Sequence, residues 1–218
     1  FVDGARCRVA GRVVKRGARV EVVDDEGIAA AAVVPVLFDE GGVVVVDKPA
    51  GLASEPTKQA STSATDWFAQ QGRALAAVHR LDVDTTGVLV LADADHVAGW
   101  SKVFHDQAVE RGYLAVVLGS PVDDEGLIDA PLLPPHKTGL ARISTVGKPA
   151  KTKWRVKKRG ETATLLDVTP LTGRTHQIRV HLAHIGHARG GDRRYGTGTA
   201  QHLGLHAASV SATVDGKA

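Results

Sequence analysis

The spacing of apolar and polar positions changes several times along the chain, and each change predicts an element. In VLFDEGGVVVVDKPAG, 36–51, two apolar runs flank a Gly-Gly pair. That predicts a strand, a tight turn, a buried strand and a Lys-Pro-Ala-Gly stop. SATDWFAQQ, 63–71, follows the capping candidates Ser61, Thr62 and Ser63 and predicts a helix. VLVLA, 88–92, is apolar and β-branched, as in a strand covered on both faces. Val97, Trp100, Val103 and Phe104 fall at helical spacing within 94–106. YLAVVLG, 113–119, predicts a further strand.

The second half opens with a loop-rich segment, 120–150. KTKWRVKKRG and TATLLDVTP then predict a hairpin with one basic and one apolar partner. GRTHQIRVHLAHIG, 173–186, sets Ile178, Val180, Leu182 and Ile185 among polar residues and predicts a helix ended by Gly186. LHAASVSATV predicts a closing strand. Residues 1–24 have the rhythm of short strands, and 24–36 reads as a linker. Strands outnumber helices and do not alternate with them, so the expected class is α+β with a mixed, mainly antiparallel sheet.

Composition narrows the picture. The sequence has 218 residues and 43% apolar content, enough for one medium domain with a sizeable core. Cys7 is the only cysteine, which excludes an internal disulfide and a cysteine-based metal site. The longest apolar run, 28–38, contains Pro35 and is shorter than the roughly 18 residues a membrane-spanning helix needs. With no visible signal peptide, these features fit a cytoplasmic protein without a membrane partner. The chain starts at Phe1 and has no methionine, so a missing upstream segment is expected.

Charge is divided unevenly. Residues 1–135 carry 12 Lys+Arg against 20 Asp+Glu, and residues 136–218 carry 15 against 4. A basic C-terminal portion points to a polyanion such as nucleic acid. The competing explanation is a solvated basic surface paired with the acidic half.

Two stretches concentrate chemistry. VHRLDVDTTGVLVLA, 78–92, places Arg80, Asp82 and Asp84 immediately before a buried strand. Asp82 there is a candidate nucleophile or base, or Asp82 and Asp84 simply form turns with Thr85 and Thr86. LTGRTHQIRVHLAHIGHARGGDRRYG, 171–196, holds five arginines, four histidines and one carboxylate, Asp192. Gaps of five, three and three between the histidines differ from the i,i+4 zinc pattern, and no glutamate stands nearby. Arginine there suits phosphate, or an ion pair with a catalytic carboxylate. No dinucleotide fingerprint, phosphate loop or GxSxG motif occurs.

Taken together, VVVVDKPAGL (43–52), VHRLDVDTTGVLVLA, RGYLAVVLG (111–119), GRTHQIRVHLAHIGH with GD..YG, and LHA (205–207) resemble the RluA-type RNA pseudouridine synthases. The pieces come in that family's order over about three quarters of the chain. The resemblance implies a mixed sheet with a central catalytic cleft across 36–218. It implies isomerisation of a uridine in RNA, either ribosomal RNA of the large subunit or transfer RNA, with no cofactor and no metal. It makes Asp82 the essential aspartate, acting as nucleophile or as base. Tyr113 is then the tyrosine that stacks on the base, and Arg179 the partner of the aspartate. Arg80, Lys48, Arg111, Arg174 and His176 become RNA-contacting candidates, Arg80 filling the space the flipped base leaves. Residues 1–35 resemble, more weakly, part of an S-four-like RNA-binding domain and its linker. The chain departs from the family at Val83, where a basic residue is common, and at Ala188, where a proline is usual. It also lacks an arginine usual shortly before LHA. The alternative class is a non-catalytic RNA-binding module that keeps the fold.

Overall fold

In the computed structural model the described residues are 33–57, 62–136, 139–187, 191–192, 194–196 and 204–212. The partial RNA-binding domain expected over 1–35 lies almost wholly outside them. Among the described residues eleven strands and three helices follow in chain order: β1 (Val36–Glu40), β2 (Val43–Lys48), α1 (Ala64–Ala69), β3 (Ala76–Ala77), β4 (Thr86–Ala92), α2 (Val97–His105), β5 (Val109–Leu118), β6 (Glu125–Asp129), β7 (Leu132–Leu133), β8 (Arg142–Ile143), β9 (Lys151–Arg159), β10 (Ala163–Pro170), α3 (Gln177–His184) and β11 (Leu205–Ala212). Among the described residues no helix is long and apolar enough to cross a membrane.

Nine strands form one sheet in the order β1-β2-β4-β11-β5-β10-β9-β6, with β3 added beside β4. Every pairing in it is antiparallel except β4 with β11. This is the mixed, mainly antiparallel sheet expected from the element pattern. The Gly41-Gly42 pair turns the first hairpin at φ +60° and +76°, a region side chains with a Cβ rarely occupy.

Two apolar clusters lie at the sheet's centre. Val44, Val46, Phe68, Leu89 and Leu91 build one with Leu81 and Ala207; Ala115, Val117, Leu166, Ile178 and Leu182 build the other with Trp154. Tyr113 packs against both. A fully buried Leu such as Leu89 or Leu91 contributes about 1.5–3 kcal/mol relative to an exposed one. Leu81 thus ties the segment 78–85 into one of these clusters.

The sequence reading misplaced several boundaries. The helix drawn over 173–186 starts only at Gln177, because the Gln177 side chain holds the approach in a turn. Its Oε1 accepts from the Thr172 hydroxyl (2.7 Å) and the Arg174 N–H (3.0 Å), while its Nε2 donates to Lys151 O and Thr152 Oγ1 on β9. Of the three cap candidates for α1, Ser63 does the work: its hydroxyl accepts from the Asp66 N–H. The strand expected at 113–119 reaches back to Val109 because β11 pairs with it there. Within the expected loop 120–150, β6 pairs with β9, and β7 pairs with β8.

Candidate active site

Asp82 lies in the turn that feeds β4, and the Thr85 N–H closes on its carbonyl at 3.0 Å. The loop after β2 grips this turn. Lys48, wholly buried, donates to Pro49 O (2.9 Å), Leu52 O (2.7 Å) and Val83 O (3.0 Å). Gly51 N–H also donates to Val83 O, at 2.9 Å. Ser54 Oγ accepts from the Leu81 N–H and donates to the Leu81 carbonyl. The Lys-Pro-Ala-Gly stretch therefore holds the backbone after Asp82, and Ser54 holds the backbone before it. Lys48 does not face outward: each of its ammonium protons has a carbonyl acceptor in the fold, so the RNA contact expected of it is not how the structure uses it. Burial pushes its pKa down to about 8, against the pull of Asp84 and Asp82.

The Asp82 carboxylate, about a quarter exposed, meets Arg179 from the first turns of α3, with Nη1 donating to Oδ2 at 2.7 Å. Arg179 is buried, and its opposite edge is held by Asp192, which is more deeply buried still. Nε donates to Asp192 Oδ2 at 3.0 Å and Nη2 to Oδ1 at 2.8 Å. Burial by itself would lower the Arg179 pKa. The hydrogen bonds and charges of Asp192 and Asp82 outweigh it and hold the guanidinium above its usual range. The cluster of two carboxylates and one guanidinium keeps a formal charge of −1.

His176 stands on the other side of Asp82, its Nε2 3.8 Å from Oδ1. Its Nδ1 is 2.8 Å from Tyr195 Oη, and the Tyr195 ring lies beneath the Arg179 guanidinium at 5.1 Å. Burial lowers the His176 pKa below the usual imidazole value, with the charge of Asp82 opposing.

The remaining residues expected at the site are spread around this centre. Tyr113 on β5 is half-buried between the two clusters. Its phenol is raised by burial, with the charges of Arg111 lowering and Asp82 raising it. Arg111 reaches the loop before α3, where Nη2 donates to Thr172 O at 3.3 Å. Arg174 is turned to the Pro149 carbonyl. Arg80 is exposed and has no hydrogen-bond or ion-pair partner among the described residues. So the fold brings Asp82, Arg179 and His176 together, with Tyr113 within electrostatic reach. Asp192 and Tyr195 were missed as site residues. The signal was an acid standing among five arginines, with a tyrosine three residues on.

The histidine-rich stretch is divided by the helix. His181 points inward, its two ring nitrogens 2.9 Å from Thr152 Oγ1 and Ala130 O, whereas His176 faces Asp82. Among the described residues no three His, Cys, Asp or Glu side chains converge as a metal site would require. The basic face of β9 is largely paired with acids, most of them from the first half: Lys151 with Asp129, Arg155 with Glu125, Arg159 with Asp124, and Lys157 with Asp167. The charge asymmetry in the sequence is thus partly cancelled in space.

Comparison with known proteins points the same way. Residues 42–184 match the family described as RNA pseudouridylate synthase. The chain is 39% identical over 184 residues to "Ribosomal large subunit pseudouridine synthase D" of Nitrosomonas europaea, covering 79% of this chain and 53% of that protein. It is 34% identical to "Dual-specificity RNA pseudouridine synthase RluA" of Vibrio vulnificus, covering 81% and 76%. The chain therefore spans about half to three quarters of these relatives' lengths. Among solved structures, "Human RNA Pseudouridylate Synthase Domain Containing 1" shares the fold, with a TM-score of 0.73, 24% identity and coverage of 84% and 79%.

Proposed function

The chain belongs to the RNA pseudouridylate synthase family, and on that premise we propose that it isomerises a uridine of large-subunit ribosomal RNA to pseudouridine in the cytoplasm. The observation that carries the activity is the Asp82–Arg179 pair, with one carboxylate oxygen, Oδ2, held at 2.7 Å and the other, Oδ1, 3.8 Å from His176 in a side chain about a quarter exposed. The ribosomal substrate follows the names of the relatives.

A uridine within folded RNA must leave its stack before its glycosidic bond can be reached. Tyr113 offers an aromatic face beside Asp82, and the exposed Arg80 can enter the space the base vacates. Arg179 fixes the plane of the carboxylate. Oδ1 then acts on the nucleotide while the base detaches from nitrogen, turns, and rejoins through carbon five. One carbon–nitrogen bond breaks and one carbon–carbon bond forms, and the proton lost from carbon five is balanced by one gained at the freed nitrogen, so no second reactant is consumed and the protein supplies position, charge and a path for that proton.

The test is to incubate the chain with total RNA from a strain lacking it and to map pseudouridine by carbodiimide modification and primer extension. New stops in large-subunit RNA that vanish with Asp82→Asn are expected, with RNA affinity unchanged within a few-fold. New stops only in transfer RNA would move the substrate. RNA binding with no new stops from the chain or its full-length form would favour the binding-module alternative.

A further inference from the structure

The tyrosine–histidine contact beside Asp82 bears on where the histidine carries its proton. Tyr195 Oη accepts the Ala141 N–H at 2.8 Å. Its own hydroxyl proton must go elsewhere, and among the described residues the acceptor at hydrogen-bond distance is His176 Nδ1, at 2.8 Å. A neutral imidazole that accepts at Nδ1 carries its proton on Nε2. Nε2 is the atom that faces Asp82 Oδ1.

The backbone of His176 supports a role for this placement. It adopts φ +56°, one of two non-glycine residues with positive φ among those described. That conformation is unfavourable outside glycine, and such strain tends to collect where geometry serves function. The turn is held on both sides, by Gln177 through the Arg174 N–H and by Tyr195 through the ring itself.

We propose that His176 is a positioning residue for Asp82, kept by Tyr195 as the Nε2–H tautomer so that it presents an N–H to Oδ1 without adding a second positive charge. The reading rests on the proposed activity for its consequence, though not for its geometry. The groups facing His176 are Asp82, Asp192, Arg179, Arg194 and Tyr195. Arg179 is already shared between two carboxylates, so a neutral donor leaves the net charge at Asp82 intact. The present 3.8 Å is longer than a hydrogen bond, and catalytic hydrogen bonds commonly close only when substrate is bound. A closure of under about 1 Å brings Nε2 to Oδ1.

The experiment is long-range proton–nitrogen correlation NMR on the full chain with labelled histidine, the His176 signal being assigned by its loss in His176→Gln. Wild type is expected to show the Nε2–H tautomer, and Tyr195→Phe a shift toward the Nδ1–H form. In single-turnover assays His176→Leu is expected to lose about 100-fold in rate with little change in the RNA concentration at half-saturation. His176→Gln, which carries an amide N–H to the same depth, is expected to recover most of that loss. An Nδ1–H tautomer in wild type, or full turnover by His176→Leu, would overturn the proposal. Failure of wild type to modify any RNA would instead sink the proposed activity, and the NMR result would still decide the tautomer.

Discussion

Asp192 grips Arg179 along the guanidinium edge that Asp82 does not use, through hydrogen bonds of 3.0 Å and 2.8 Å. The pair is almost wholly buried, and breaking a buried pair by removing one charge leaves the other uncompensated. Asp192 also accepts the backbone N–H groups of Arg194 and Tyr195, so one carboxylate sets both the arginine and the tyrosine that holds His176. Asp192→Asn keeps the size but presents an amide N–H where an acceptor stood. Turnover should fall about 10- to 100-fold while RNA affinity stays within a few-fold. Single-turnover rates beside filter-binding affinities check this, and a matched fall in both would count against it.

Lys48 links three carbonyls around the Asp82 turn from a fully buried position. Lys48→Met matches its length and supplies no donor. The buried Leu52 carbonyl would lose its side-chain donor, for a destabilisation of about 2–3 kcal/mol. Turnover should fall further than the folded fraction accounts for, because the turn itself loosens. Urea unfolding together with activity per folded molecule separates the two effects.

His79 is half-buried against Phe104, their rings stacked at 4.3 Å, and its Nε2 accepts the Val90 N–H. Burial, with Arg111 adding, lowers its pKa from 6.5 to about 3. The unfolded chain therefore binds a proton below pH 6.5 that the folded chain refuses until about pH 3. The His79 contribution is complete above pH 6.5 and is lost progressively as pH falls from 6.5 toward 3. His79→Gln keeps an acceptor for Val90 without that titration. Its unfolding free energy should decline less than that of wild type between pH 7 and pH 5, as read from urea curves at each pH. Equal slopes would exclude this origin.

Gly87, the second residue of β4, has φ +106°, and a Cβ there would clash with the Ala207 carbonyl oxygen on β11. That is where the sheet's one parallel pairing forms, so the neighbour is backbone and has little room to give. Gly87→Ala should destabilise by at least about 3 kcal/mol and reduce soluble yield. Thermal unfolding of the variant beside wild type measures it, and a melting temperature near wild type would contradict the clash.

Much of this protein is written locally. Strands β2, β4, β5 and β10 are legible as apolar runs, and α2 by its helical spacing. Asp82 stands out because a charged turn abuts a strand of Val and Leu. Arg179 and Tyr113 could be named only because the chain's motifs resemble a family. Periodicity reports which face of an element is apolar and nothing about what meets it. The Asp82–Arg179 contact joins residues 97 apart in sequence, and Lys48 reaches Val83 across 35. Lys48 is fully buried despite its charge because three carbonyls converge on it, an arrangement that no local pattern contains. The same holds for Asp192 behind Arg179, for the acids paired with β9, and for the contact between His176 and Tyr195. The sequence by itself determined most of the elements and where the Asp82 carboxylate sits in them. Only the tertiary structure decided which groups hold that carboxylate, because hydrogen-bond direction and ion pairing depend on distances set when remote segments pack.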